Sequence, residues 1–238
     1  MARLPAWMPT LIRQINFGLA ESPLVNVGVR AEDALPAGRE ICFELWPFIE
    51  QLPSNIQKVR DRLPVNLEAT RKLLDQMADE DRYYQGLYLK QCQLSGLTRE
   101  QLENTKPGHN VQNLCRVLEE LCQESDFTKG VLAIITAELS CTAFARAVLP
   151  IFERYFAARS DVYPREEVDQ GLEWLNLHAS MQTKHALWMK TALSEIKAQE
   201  DGVPDSVIQV MDAVYKFWRL QNSPDFTRVK TPELVKHP

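Results

Sequence analysis

The segment from Val65 to Ser95 constrains the fold more than any other part of the chain. Along it Leu73, Met77, Glu80, Tyr84, Leu87, Gln91 and Leu94 recur at alternating steps of four and three. That spacing keeps side chains on one face of a long α-helix. Asp126–Ala158 repeats the pattern with Val131, Ile134, Ile135, Glu138, Cys141, Thr142 and Ala145, and Pro150 is expected to kink it. A third long helix is expected from the neighbourhood of Pro164–Glu167 to about Lys197, closed by Gly202 and Pro204.

Shorter helices fill the intervals. One spans about Pro9–Leu19, and another covers Glu40–Gln51, bent or restarted at Pro47 and ended by Pro53. Ser54 reads as the N-cap of a helix stopped by Pro64, and Thr98 as the cap of a short helix to Asn104. Gly96 suits the position after the long helix. Val111–Glu124 is amphipathic, and Asp205–Gln221 turns Val207, Val210, Val214 and Trp218 inward. No segment alternates with period two between turn residues. The expected fold is therefore all-α, a single-domain helical bundle of about seven or more helices. Residues 1–39 read as an N-terminal arm, 40–221 as the bundle and 222–238 as a polar tail.

Composition removes several functional classes. The chain has 238 residues, a formal charge of -5 and no block of basic residues, which argues against nucleic acid and anionic membrane as partners. Nine glycines without a clustered phosphate-cradling loop argue against nucleotide binding. Five cysteines in apolar segments, with no CxxC pair, read as free thiols and fit a reducing cytoplasm. The N-terminus lacks the apolar core of a signal peptide, and no window of about 20 apolar residues stands out as a membrane span.

Polar residues on the apolar faces carry the chemistry. His178 and His185 lie seven residues apart, close to two helical turns, beside Leu175, Met181, Leu187 and Trp188. Glu80 sits in the stripe of the first long helix. Glu138 is the lone charge between Lys129 and Arg146. A buried carboxylate is costly unless it is neutral, paired or bound to a cation. Carboxylates and imidazoles from facing helices form the ligand chemistry of non-haem iron or manganese. The competing reading is structural: Glu80 exposed at the helix edge and Glu138 hydrogen-bonded to a buried tyrosine or histidine.

The order and spacing of these residues resemble the haem-oxygenase-like diiron oxidase and oxygenase family. Its fold is shared with thiaminase-type and pyrroloquinoline-quinone-synthase-type helical proteins. The resemblance covers about residues 40–200. Glu44 in FELWPF matches the family's early carboxylate, and Asp79, Glu80 and Asp81 match its second element, which closes with LSGL. Glu138 matches the lone glutamate, and His178 and His185 match the two ends of the last run. Two positions depart from the pattern. Tyr83, Tyr84 and Gln85 stand where a histidine is expected after Glu80, and Gln182 stands where an aspartate is expected between the histidines.

The resemblance implies an enzyme: an O2-dependent non-haem iron oxidoreductase with metal ligands Glu44, Glu80, Asp81, Glu138, His178 and His185. It implies Fe(II), two per chain with one weakly held, and O2 as co-substrate. The substrate class is a small amino acid or amine, with Tyr84, Tyr88, Trp174 and Gln182 as candidate contacts for an aromatic side chain. Within the family, the altered ligand set is similar to that of a nitrile-forming branch, which turns a brominated tryptophan into an indole-3-carbonitrile in natural-product biosynthesis. The alternatives are a metal-free enzyme of the thiaminase or quinone-synthase type and a non-catalytic binding protein. A homodimer is compatible with the apolar content.

Overall fold

The computed structural model describes residues 4–22, 25, 34–104, 106–180, 182–198 and 202–219, without the side chains of 34–37 and 182–187. These residues form ten helices and no strand. In chain order they are α1 (Met8–Ala20), α2 (Ala34–Arg62), α3 (Glu68–Leu94), α4 (Arg99–Asn104) and α5 (His109–Gln123). They continue with α6 (Phe127–Ala157), α7 (Arg165–Gly171), α8 (Glu173–Ser180), α9 (Gln182–Glu195) and α10 (Asp205–Trp218).

The core is organised around α6. It packs on α1, α2, α5, α8, α9 and α10, and Val131, Ala133, Ile134, Ile135 and Ala145 are fully buried along it. An 18-residue window of α6 has a mean hydropathy of 1.6, so by length and composition alone it could cross a membrane. The sequence reading passed over this window. Here 78% of it is buried inside the bundle, and its apolarity is met by other helices. The start of α6 is fixed by Asp126, whose carboxylate accepts the Thr128 N–H at 3.0 Å.

The expected breaks at Pro47 and Pro53 do not occur. Both prolines lie inside the continuous helix α2. Each proline lacks the N–H that would bond the carbonyl four residues back. For Pro53 that carbonyl belongs to Ile49, and the Gln85 side-chain amide of α3 donates to it at 3.2 Å and to the Glu50 carbonyl at 2.9 Å. The pairing of α2 with α3 is the most extensive in the fold. Tyr88 strengthens it one turn further on, its hydroxyl donating to the carbonyls of Cys42 (3.2 Å) and Ile41 (3.4 Å).

Both ends of α3 are set by specific groups. Leu67 offers no side-chain cap at the N-terminus. Instead Glu195, at the end of α9, accepts from the Thr70 N–H at 2.8 Å and the Thr70 hydroxyl at 2.6 Å. A carboxylate at a helix N-terminus satisfies an orphan donor and suits the helix dipole. At the C-terminus Gly96 takes φ +77, the Leu97 N–H donates to Cys92 O and the Gly96 N–H to Gln93 O, a complete Schellman closure. Thr98 and Gln101 then exchange hydrogen bonds of 3.2 and 2.8 Å as a reciprocal capping box for α4.

The third long helix is divided. α7 ends at Gly171, α8 runs to Ser180 and α9 starts at Gln182. Gly171 lies against Leu94 of α3, so closely that a Cβ would meet Leu94 Cδ2 at 2.5 Å. His178 sits on α8 and position 185 on α9; residue 181 between them lies outside the described residues, and the break that the structure describes is the turn at Leu172.

Candidate functional site

The inward face of α3 is rotated from the expected stripe. Thr70, Leu74, Met77, Ala78, Asp81, Leu87, Tyr88, Gln91 and Cys92 are buried, whereas Leu73, Glu80, Tyr84 and Leu94 are half-buried. A stripe stepped by alternating fours and threes averages 3.5 residues per turn and drifts by about 20° per heptad on a 3.6-residue helix. Over a helix as long as α3 this drift brings in the neighbouring row. Asp81 is consequently the deepest carboxylate on α3, with Glu80 beside it nearer the edge.

On α6 Glu138 is 4% exposed. Burial, and then the charge of Glu80, pushes its carboxyl up to about 7. Tyr84 lies among the three carboxylates. Burial, followed by the charges of Glu80, Asp81 and Glu138, raises its phenol well above the ordinary tyrosine range. The Cys141 thiol is raised as well, by burial and then by Glu138 and Asp81. Mutual electrostatic influence of this kind places Glu80, Asp81, Tyr84, Glu138 and Cys141 around one interior region.

His178 closes that region from α8. Its ring meets Tyr84 edge-on at 5.1 Å and stacks on Trp174 at 4.1 Å, with 27° between the planes. Tyr88 packs edge-on against the other side of the series, 4.9 Å from Trp174. Burial lowers the imidazole to about 4, so it is neutral near pH 7. Its Nδ1 lies 2.9 Å from the Trp174 carbonyl oxygen. A carbonyl only accepts, so Nδ1 carries the hydrogen and Nε2 holds the lone pair.

The predicted residues thus divide. Glu80, Asp81 and Glu138 act on Tyr84, Tyr84 meets the His178 ring, and Trp174 stacks on that ring with Tyr88 behind it. Tyr88 also has its hydroxyl committed to α2. Both oxygens of Glu44 accept the Gly108 N–H, at 3.0 and 2.9 Å, ahead of α5. Among the residues that replace the expected histidine, Gln85 serves α2 and Tyr83 is 60% exposed, leaving Tyr84 to face the interior. The side chains of Gln182 and His185 lie outside the described residues. Among the described residues no group of three His, Cys, Asp or Glu side chains is gathered closely enough to chelate an ion as it stands.

Sequence reasoning missed one buried polar cluster. Cys42 Sγ lies 3.6 Å from Ser95 Oγ, and the Gln91 amide donates to it at 3.7 Å. Gln91 in an apolar stripe was the only signal of it. All five cysteines are buried free thiols, as their apolar surroundings suggested.

The family sequence model described as TENA/THI-4/PQQC matches residues 65–222, which takes in α3 to α10 and every residue expected at the site except Glu44. The chain belongs to the TENA/THI-4/PQQC family. Its fold agrees with two solved structures. One is a TenA homologue from Pseudomonas syringae pv. tomato, similar over 90% of this chain and 88% of that one, with a TM-score of 0.65 and 17% identity. The other is a domain of unknown function with a heme oxygenase-like fold from Shewanella denitrificans, covering 90% and 93% of the two chains, with a TM-score of 0.59 and 15% identity. Likenesses at this identity show the fold, and the all-α haem-oxygenase-like architecture read from the sequence is the one found. No curated protein matches the chain. Membership of the TENA/THI-4/PQQC family does not by itself carry the diiron chemistry.

Proposed function

We propose that this member of the TENA/THI-4/PQQC family is a non-haem iron oxidase or oxygenase that uses O2 on a small amino acid or amine. The observation that carries the reading is the fixed tautomer of His178. Its Nδ1–H is held by the Trp174 carbonyl, so a buried neutral imidazole keeps its lone pair on Nε2, and its ring packs on Tyr84, the residue on which Glu80, Asp81 and Glu138 all act. Outer-sphere hydrogen bonds of this kind orient histidine ligands in metalloproteins. The donors fit iron in kind, since imidazole and carboxylate oxygen are its usual protein ligands.

In this reading His178, Glu138, Asp81 and Glu80 hold Fe(II), with His185 as a further donor on α9. Glu44 is a further carboxylate in this reading, its oxygens oriented by the Gly108 N–H. Two irons, one weakly held, follow from the missing histidine after Glu80 and from Gln182. Bound iron supplies the one-electron chemistry through which O2 reacts with a closed-shell organic substrate. The protein's own contributions are separate. Glu138, with its carboxyl near 7, releases a proton readily when a cation approaches. The Tyr84 phenol stays protonated and can donate a hydrogen bond within the site. Trp174 and Tyr88 exclude water behind the imidazole.

The narrower form of the proposal takes an aromatic amino acid as substrate. It is brominated tryptophan if the chain acts like the nitrile synthase of the aetokthonotoxin pathway; the altered ligand set supports that form. A second reading, a metal-free acid–base enzyme, draws on Glu138 alone, because a carboxyl titrating near neutrality suits general acid–base catalysis. Iron content after anaerobic reconstitution with Fe(II), in the wild type and His178→Ala, separates the two. One to two irons per chain, lost in the variant, supports the iron enzyme. No iron in either protein overturns it in favour of the metal-free reading.

A further inference from the structure

A cleft of about 160 Å³ opens between α1, α6 and α9. Met8, Ile12 and Ile15 of α1, Leu139 and Ala143 of α6 and Met189 of α9 form its apolar walls. Thr142, also in the lining, lies one turn beyond Glu138 on α6, so the floor of the cleft adjoins the region that Glu138 occupies. Of the residues that line it, only Arg146 is charged. The Arg146 Nε donates to the Ala179 carbonyl at 2.8 Å, which fixes the guanidinium plane near the end of α8.

Volume, lining and charge select a ligand class. An apolar cavity of roughly 150 Å³ accommodates one benzene ring. Two methionines favour an aromatic ring over an aliphatic chain, because thioether sulfur makes favourable contacts with ring edges. A guanidinium recognises a carboxylate through charge-assisted hydrogen bonds. We propose that this cleft binds a monocyclic aromatic carboxylate, the ring among Met8, Ile15, Leu139 and Met189 and the carboxylate at Arg146. The cleft is then the approach by which an aromatic acid reaches Glu138, a role that rests on the reading of that region as the active site.

Binding is tested on the full chain in excess EDTA, by calorimetry or ligand-observed NMR, with phenylacetate, its neutral isostere phenylacetamide and the saturated cyclohexylacetate. Phenylacetate should bind at least about tenfold more tightly than phenylacetamide, the scale of one charge-assisted hydrogen bond, and more tightly than cyclohexylacetate. Arg146→Gln should abolish the difference between acid and amide. Ala143→Phe should block all three by placing a ring in the cleft. Should Ala143→Phe fail to fold, Ile12→Trp, at a position 40% exposed, closes the mouth instead. Equal binding of acid and amide, an unaltered affinity in the blocked variant, or no binding of phenylacetate overturns the proposal. Iron uptake is measured separately. Phenylacetate binding without iron uptake leaves the cleft standing and removes the iron enzyme, and iron uptake without phenylacetate binding does the reverse.

Discussion

Glu138→Gln keeps the shape and most of the hydrogen-bonding capacity of the side chain while removing its ability to ionise. In the folded protein the carboxyl titrates at about 7, against an ordinary value of 4.5. Below pH 4.5 the group is protonated in both the folded and the unfolded chain, and burial costs no ionisation energy. Between 4.5 and 7 the unfolded chain releases the proton while the folded one retains it, so stability falls with each pH step. Above 7 the cost is complete, at about 3 kcal/mol from 1.36 kcal/mol per pH unit. The metal-free Glu138→Gln protein should therefore exceed the wild type by about 3 kcal/mol at pH 8 and by only about 0.8 kcal/mol at pH 5. For a chain of this size that is a rise in Tm of roughly 6–12 °C at pH 8. Urea denaturation followed by circular dichroism in EDTA, at both pH values, reads the difference directly. In a Glu80→Gln background the gap should narrow, because the Glu80 charge is the second cause of the shift. An equal difference at pH 5 and pH 8 would refute the reasoning, as would a loss of stability at pH 8.

His178 behaves in the opposite sense. With the imidazole lowered to about 4 against 6.5, it is neutral in both states above pH 6.5, and stability is lost as the pH falls from there toward 4. Metal-free His178→Gln should therefore gain about 3 kcal/mol on the wild type between pH 7.5 and pH 4, read as the change in their difference in urea midpoints. Gln85→Leu should lower stability by about 1–2 kcal/mol, because the Ile49 carbonyl beside Pro53 loses its donor, while leaving iron content unchanged in the reconstitution assay. Glu44→Ala should cost about 1–3 kcal/mol by removing a charged acceptor from the Gly108 N–H. Gly108→Ala should also destabilise, since its Cβ would meet Glu44 Oε2 at 2.7 Å; thermal melts of the two variants check both.

The helical class and most element positions were legible because long apolar periods and capping residues act locally. Asp126, Thr98 and Gly96 do in the structure what their residue types suggest in the sequence. Pro47 and Pro53 misled for the same reason. Proline's effect on its own helix is a local rule, whereas the amide that compensates Pro53 comes from Gln85 on another helix. The site was legible as a set of misplaced polar residues, Glu80, Glu138 and His178, but their relative depth was not. Asp81 lies deeper than Glu80 because the stripe drifts along α3. The cleft between α1, α6 and α9 left no pattern in the sequence, since its α1 wall lies more than a hundred residues before the other two.

The central position of α6 has a consequence for biosynthesis. Its partners α8, α9 and α10 all follow it in the chain. While the ribosome is still making them, the surface they will cover is exposed on a segment apolar enough by composition to enter a bilayer. Chains interrupted between Ala157 and Glu173 carry that surface before any of the three has been made. They are the species that chaperones and proteases would have to handle, and the C-terminal helices decide when a nascent chain stops being one of them.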